Sequence, residues 1–89
     1  MEHASEVTIV NKYGLHARPA AEFVKLANRF TSEVFIRKDD VEVSGKSIMG
    51  VMMLAAECGS VVHVRAAGDD AREAVDALTE LVRNRFGEE

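Results

Sequence analysis

Apolar residues along this chain switch between a spacing of two and a spacing near 3.6, and the switches mark its elements. Val7-Thr8-Ile9-Val10 reads as a short strand. From about His16 onward, Ala20, Phe23, Val24, Ala27 and Phe30 share one helical face, with Leu26 beside the stripe and Glu22, Lys25 and Arg29 facing elsewhere. Gly14 can take backbone conformations closed to other residues, and Pro19 is tolerated only in a first helical turn, so both put the helix start near His16. Glu33 to Arg37 and Val41 to Ser44 are β-rich, and Lys38-Asp39-Asp40 between them reads as a tight hairpin turn. Ile48 to Ala55 is apolar, methionine-rich and short, which predicts a two-turn helix ended by a loop before Gly59. Val61 to Ala66 sets Val62, Val64 and Ala66 against Val61, His63 and Arg65, the pattern of a strand buried on one face. In the last helix Asp70 and Glu73 form a capping box, and Ala71, Ala74, Val75, Leu78 and Val82 form the inner stripe with Leu81 alongside.

The order β-α-β-β-α-β-α predicts an α+β domain with its helices on one side of a sheet, since each helix has a single apolar stripe to bury. The pattern leaves strand order open, and the ferredoxin-like arrangement of small RNA-binding domains competes with it. That module stacks bases on exposed strand aromatics. Here there is no Trp, Tyr13 falls in a predicted loop, and Phe35 is the only aromatic in a predicted strand. Residues 1–89 make one small domain. A net charge of −4 argues against generic nucleic-acid or anionic-membrane binding, while a local basic patch around Arg18 and Lys25 suits an acidic protein partner. The single Cys58 rules out an internal disulfide. No apolar run approaches the ~20 residues of a membrane span, and Met1 to Glu6 lacks the basic start and apolar stretch of a signal peptide. A cytoplasmic protein is expected.

The chemistry concentrates in Gly14-Leu15-His16-Ala17-Arg18-Pro19-Ala20. A helix N-terminus leaves backbone N–H groups unpaired and carries partial positive charge, so a dianion is stabilised there before any side chain contributes. Arg18 adds a fixed cation, and His16 is a nucleophile of a type substantially neutral near pH 7. The segment reads as a phosphoryl acceptor, against the plainer role of His16 as a helix cap or partly buried polar residue. Gly45-Lys46-Ser47 is not a nucleotide-binding loop, because the glycine required five residues earlier is replaced by Asp40. His3, His16, His63 and Cys58 have no metal-ligand spacing. Neither a metal nor another cofactor is expected.

The Gly14 to Ala20 string resembles the active-site segment of the HPr family, the histidine-containing phosphocarriers of the bacterial phosphoenolpyruvate-dependent phosphotransferase system. Ser44-Gly45-Lys46-Ser47-Ile48-Met49-Gly50-Val51-Met52 is similar to the segment where that family carries its regulatory serine, and the likeness runs from Val7 to Phe86. It implies a four-stranded antiparallel sheet covered on one face by three helices. It also implies phosphorylation of His16 at Nδ1, by phosphorylated Enzyme I, and transfer to IIA domains by a stoichiometric, monomeric carrier. Arg18 and the backbone N–H groups of Ala17 and Arg18 would hold the phosphoryl oxygens, loosely and partly exposed. Leu15, Ala17, Ala20, Ile48, Met49, Met52 and Met53 are candidates for an apolar docking patch, with Ile48, Met49 and Met52 expected to be at least partly exposed.

Ser47 is explained as the N-cap of the short helix. The resemblance adds phosphorylation there by HPr kinase/phosphorylase and binding to a catabolite-control transcription factor, and it leaves a regulatory binding module, read through Ser47, as the alternative function. Glu57-Cys58-Gly59 departs from the lysine many members carry before that glycine. Asn11-Lys12-Tyr13-Gly14 resembles the nitrogen-related branch as much as the sugar-uptake branch.

Overall fold

Strands and helices alternate as the periodicity predicts in a computed structural model that describes residues 1–88. Strand β1 spans Glu2–Thr8, helix α1 Ala17–Ala27, strands β2 and β3 Glu33–Lys38 and Val41–Ser44, helix α2 Ile48–Met53, strand β4 Val61–Ala67 and helix α3 Ala71–Arg83. A 3₁₀ turn over Arg85–Gly87 follows. The sheet order is β1-β4-β2-β3 with every neighbouring pair antiparallel. Thus β4 sits between β1 and β2, with Val64 opposite Ser5 on one side and Ile36 on the other. Asp39, with φ of 54°, turns the β2–β3 hairpin where the sequence puts a tight turn.

One sheet face is buried. Val34, Ile36, Val62, Val64 and Ala66 supply it, each at most 2% exposed. Against it pack Ala20, Phe23 and Ala27 of α1 and Ala71, Ala74, Val75, Leu78 and Val82 of α3, all on the stripes read from the sequence, together with Val51 of α2. Thr79 sits buried within the last stripe because its hydroxyl donates to the Val75 carbonyl at 2.9 Å, so no polar group is stranded. On the opposite face the Arg65 guanidinium lies 4.2 Å from the Phe35 ring centroid and bridges Glu2 at 2.7 Å and Glu42 at 2.9 Å. Among the described residues, no helix is long and apolar enough to cross a membrane.

Two local expectations need correction. The first strand begins at Glu2 and ends at Thr8, so Ile9 and Val10 lie outside it. Its early residues show no apolar alternation and are held by main-chain pairing to β4. The capping box is not formed either, since Asp70 makes no side-chain cap to α3. Its carboxylate instead accepts from the Ser32 hydroxyl at 2.5 Å and from the backbone N–H groups of Ser32 and Thr31 at 2.9 and 3.0 Å, tying the loop before β2 to the start of α3.

Those bonds, the Ser32 hydroxyl first and the Thr31 N–H next, hold the Asp70 carboxyl at about 2, below its ordinary 3.8. A group with a depressed folded-state pKa stabilises fully above its unfolded value and loses that contribution as pH falls through the folded one. Asp70→Asn should therefore melt earlier than the parent at pH 7, with the gap closing as pH drops from about 4 toward 2. A gap that stays constant across a pH series of thermal melts would contradict this account.

Candidate functional site

Residues between β1 and α1 are shaped by one glycine. Gly14 has φ of +67° and donates its N–H to the Asn11 carbonyl at 3.1 Å, while the next N–H, of Leu15, donates to the Ala56 carbonyl at 2.8 Å. A Cβ on Gly14 would overlap the Ala56 carbonyl oxygen and lie 2.9 Å from Glu57 Cα. Only a residue without a side chain lets the two loops touch, and this contact sets where the next residue emerges.

That residue, His16, is the N-cap of α1, with extended backbone angles of −76° and −174°. Its carbonyl accepts from the Ala20 N–H at 3.0 Å, but its imidazole makes no cap, so the ring is left for other partners. Ala17 and Arg18 open the helix, and Pro19, third in it, has no N–H to offer. The first turn therefore presents two backbone donors, and neither has a hydrogen-bond partner among the described residues. His16, Ala17 and Arg18 are all exposed at this point. Pro19 and Ala20 turn inward.

The imidazole opens on a cavity of about 550 Å³ lined by Lys12, Tyr13, Arg18 and Glu22 from one side and Phe86, Gly87 and Glu88 from the other. The Tyr13 ring stands edge-on to His16 at a centroid distance of 6.1 Å. Nε2 of His16 lies 3.1 Å from one Glu88 carboxylate oxygen and 3.4 Å from the other. Asn11, fully buried, donates through Nδ2 to the Gly14 carbonyl at 2.7 Å and to Glu88 at 3.0 Å. The site is mixed in charge, with Lys12 and Arg18 against Glu22 and Glu88. Sequence reasoning missed Glu88, Asn11 and Phe86. Its available signal was an isolated apolar residue beyond the α3 stripe, followed by glycine, which marks a left-handed turn returning to the core.

Ser47 is exposed and caps α2, its hydroxyl accepting from the Gly50 N–H at 3.1 Å. Behind it the helix shows an apolar outer face, with Ile48 and Met52 near 40% exposed, Met49 at 69% and Met53 at 74%, while Val51 turns into the core. Two docking candidates are corrected. Leu15 is 4% exposed and Ala20 fully buried, because both side chains lie on the core side of the α1 entry along with Phe23. Cys58 is exposed in the loop before β4.

A family model described as PTS HPr component phosphorylation site matches residues 4–84. Phosphocarrier protein HPr from Pseudomonas putida is 54% identical over 86 residues, covering 96% of both chains. The protein of the same name from Cupriavidus necator is 52% identical over 83 residues, covering 93% of both. The crystal structure of HPr-C-His from Thermoanaerobacter tengcongensis superposes with a TM-score of 0.94 at 48% identity, over 98% of each chain. The open sheet with three helices is thus a fold of small phosphotransferase-system proteins. The chain belongs to the HPr family of phosphocarrier proteins.

Proposed function

We propose that this chain relays a phosphoryl group on His16, receiving it from phosphorylated Enzyme I and delivering it to histidine-bearing IIA domains in the cytoplasm, as a monomer. The observation that carries this reading is an exposed imidazole at the start of α1, beside two unpartnered N–H groups and Arg18, at the mouth of an open cavity. In the transfer, a ring nitrogen lone pair attacks phosphorus as the donor's N–P bond breaks, and the electron pair leaves with the donor. Charge stays on the three equatorial oxygens throughout, so the protein contributes positioning and electrostatics. The N–H groups of Ala17 and Arg18 and the Arg18 guanidinium take those oxygens. The open mouth suits a carrier, because the group must be reachable by two successive partners. Incubation with phosphoenolpyruvate and Enzyme I should give a label that is acid-labile and base-stable, and that a IIA domain discharges. A label that survives acid, or none with an active Enzyme I, overturns the relay.

The exposed Met49, Met52, Met53 and Ile48 form the apolar docking patch, since methionine side chains adapt to more than one partner. Ser47 adjoins it as the regulatory site, phosphorylated by HPr kinase/phosphorylase, with a catabolite-control transcription factor as the reader of that state. A phosphate there adds nearly two negative charges to the patch while the α2 N-terminus favours it locally. Ser47→Asp keeps an N-cap of equal rank, so helix stability is preserved and charge alone changes. It should slow charging of His16 by roughly tenfold, about 1.4 kcal/mol. An unchanged rate with an intact fold would remove the crosstalk. The same exposed Ser47 favours a second reading, a regulatory module sensed through that residue, which the labelling experiment separates from the relay.

A further inference from the structure

Resting on the relay reading, the geometry points to Glu88, held by Asn11, as the positioning residue that fixes the tautomer of His16. A carboxylate only accepts hydrogen bonds, so the His16 nitrogen facing it at 3.1 Å, Nε2, must carry the proton. A neutral imidazole with its proton on Nε2 has its lone pair on Nδ1. The nucleophilic nitrogen is thereby selected before any donor arrives. Asn11 has two acceptors in reach, the Gly14 carbonyl and Glu88, and only its NH₂ end can serve both, so its orientation is dictated. Its Oδ1 is buried with no hydrogen-bond partner among the described residues, which leaves the amino end as what the side chain contributes.

The chain is bent to bring Glu88 there. Arg85, Phe86 and Gly87 have φ of 58°, 56° and 79°, three successive left-handed residues, two of them not glycine. The two that are not glycine cost about 1–3 kcal/mol each and persist where surrounding structure over-determines them. Phe86, 6% exposed, is the anchor that does so, and the Glu88 carboxylate, 20% exposed, is what the turn delivers.

During transfer the Nδ1 lone pair forms the new N–P bond, the donor's N–P bond breaks, and the imidazole ring becomes cationic. The Nε2 proton stays where it is, hydrogen-bonded to the Glu88 carboxylate, which stabilises that cation. Discharge to an acceptor reverses the same steps.

The test is the ¹⁵N spectrum of the neutral His16 ring in the unphosphorylated full chain, beside the rate of phosphorylation by Enzyme I. In the parent, Nε2 should give a protonated-nitrogen shift and Nδ1 a lone-pair shift, well separated. Glu88→Ala should draw the two shifts together and slow phosphorylation about tenfold. Glu88→Gln, whose carbonyl still accepts from Nε2, should keep the separation and recover part of the rate. Unchanged shifts in Glu88→Ala, a parent ring protonated on Nδ1, or faster phosphorylation without Glu88 would each overturn the assignment. Because the shifts are read without phosphate, their outcome is distinct from failure of the relay, which appears as an unlabelled parent.

Discussion

His16→Ala should lower phosphoryl acceptance from Enzyme I to background, a loss of at least about a thousandfold, while leaving the fold intact. The other side chains of the cavity, Lys12, Tyr13, Arg18, Glu22, Phe86 and Glu88, do not replace the imidazole, because none of them stands at the α1 N-cap beside the two unpartnered N–H groups. The side chain is 40% exposed and makes no helix cap, so truncating it gives up the Glu88 contact and the Tyr13 edge but opens no cavity in the core. Surface changes of this kind fall within about ±0.5 kcal/mol. For a domain of this size that shifts the melting temperature by less than about 4 °C. Residual labelling above background in the variant, with Enzyme I verified on the parent, would move the acceptor to another residue.

Gly14→Ala, two positions earlier, should do the opposite: it attacks the fold and takes the activity with it. The added Cβ meets the Ala56 carbonyl oxygen and Glu57 Cα, both backbone atoms that no rotamer change can move aside. To this is added the penalty for a side chain at φ of +67°, about 1–2 kcal/mol. Total stability for 89 residues is about 4–13 kcal/mol. A combined loss above about 3 kcal/mol is therefore a large share of the whole. Urea denaturation should report it as a lower midpoint. A midpoint equal to the parent's would mean that the Leu15 to Ala56 contact yields readily and does not fix the position of His16.

Elements with strong one-dimensional periodicity were legible in the chain, and so was the contiguous part of the candidate site. The stripes of α1 and α3 and the alternation of β4 follow from burying one face, which a single sequence records directly. Gly14, His16, Arg18 and Pro19 are neighbours along the chain, so their joint meaning needed no tertiary information. Strand β1 was misplaced because its pairing with β4 uses backbone atoms and leaves little trace in its side chains. Asp70 was misassigned because its partners, Thr31 and Ser32, lie 39 and 38 positions away and outcompete the local cap. Leu15 and Ala20 were offered to solvent because apolar residues at a helix entry can serve a docking patch or the core, and only packing against the sheet decides. Glu88 lies 72 positions from His16 along the chain, beyond what spacing or motif can reveal.

The central place of β4 bears on how the chain folds. β1 and β2 are both made before it, yet neither pairs with the other, and β1 finds its sheet neighbour, and β2 its second, only once Val61–Ala67 exists. Of the sheet, only the β2–β3 hairpin can close earlier, and an isolated hairpin is marginal in water. The transition state must therefore gather strands distant in sequence, and the entropy of closing those loops falls on the rate. A nascent chain lacking its last third has no sheet to rest on, so acquisition of structure is a late and cooperative event, slower than in a helical bundle of equal length.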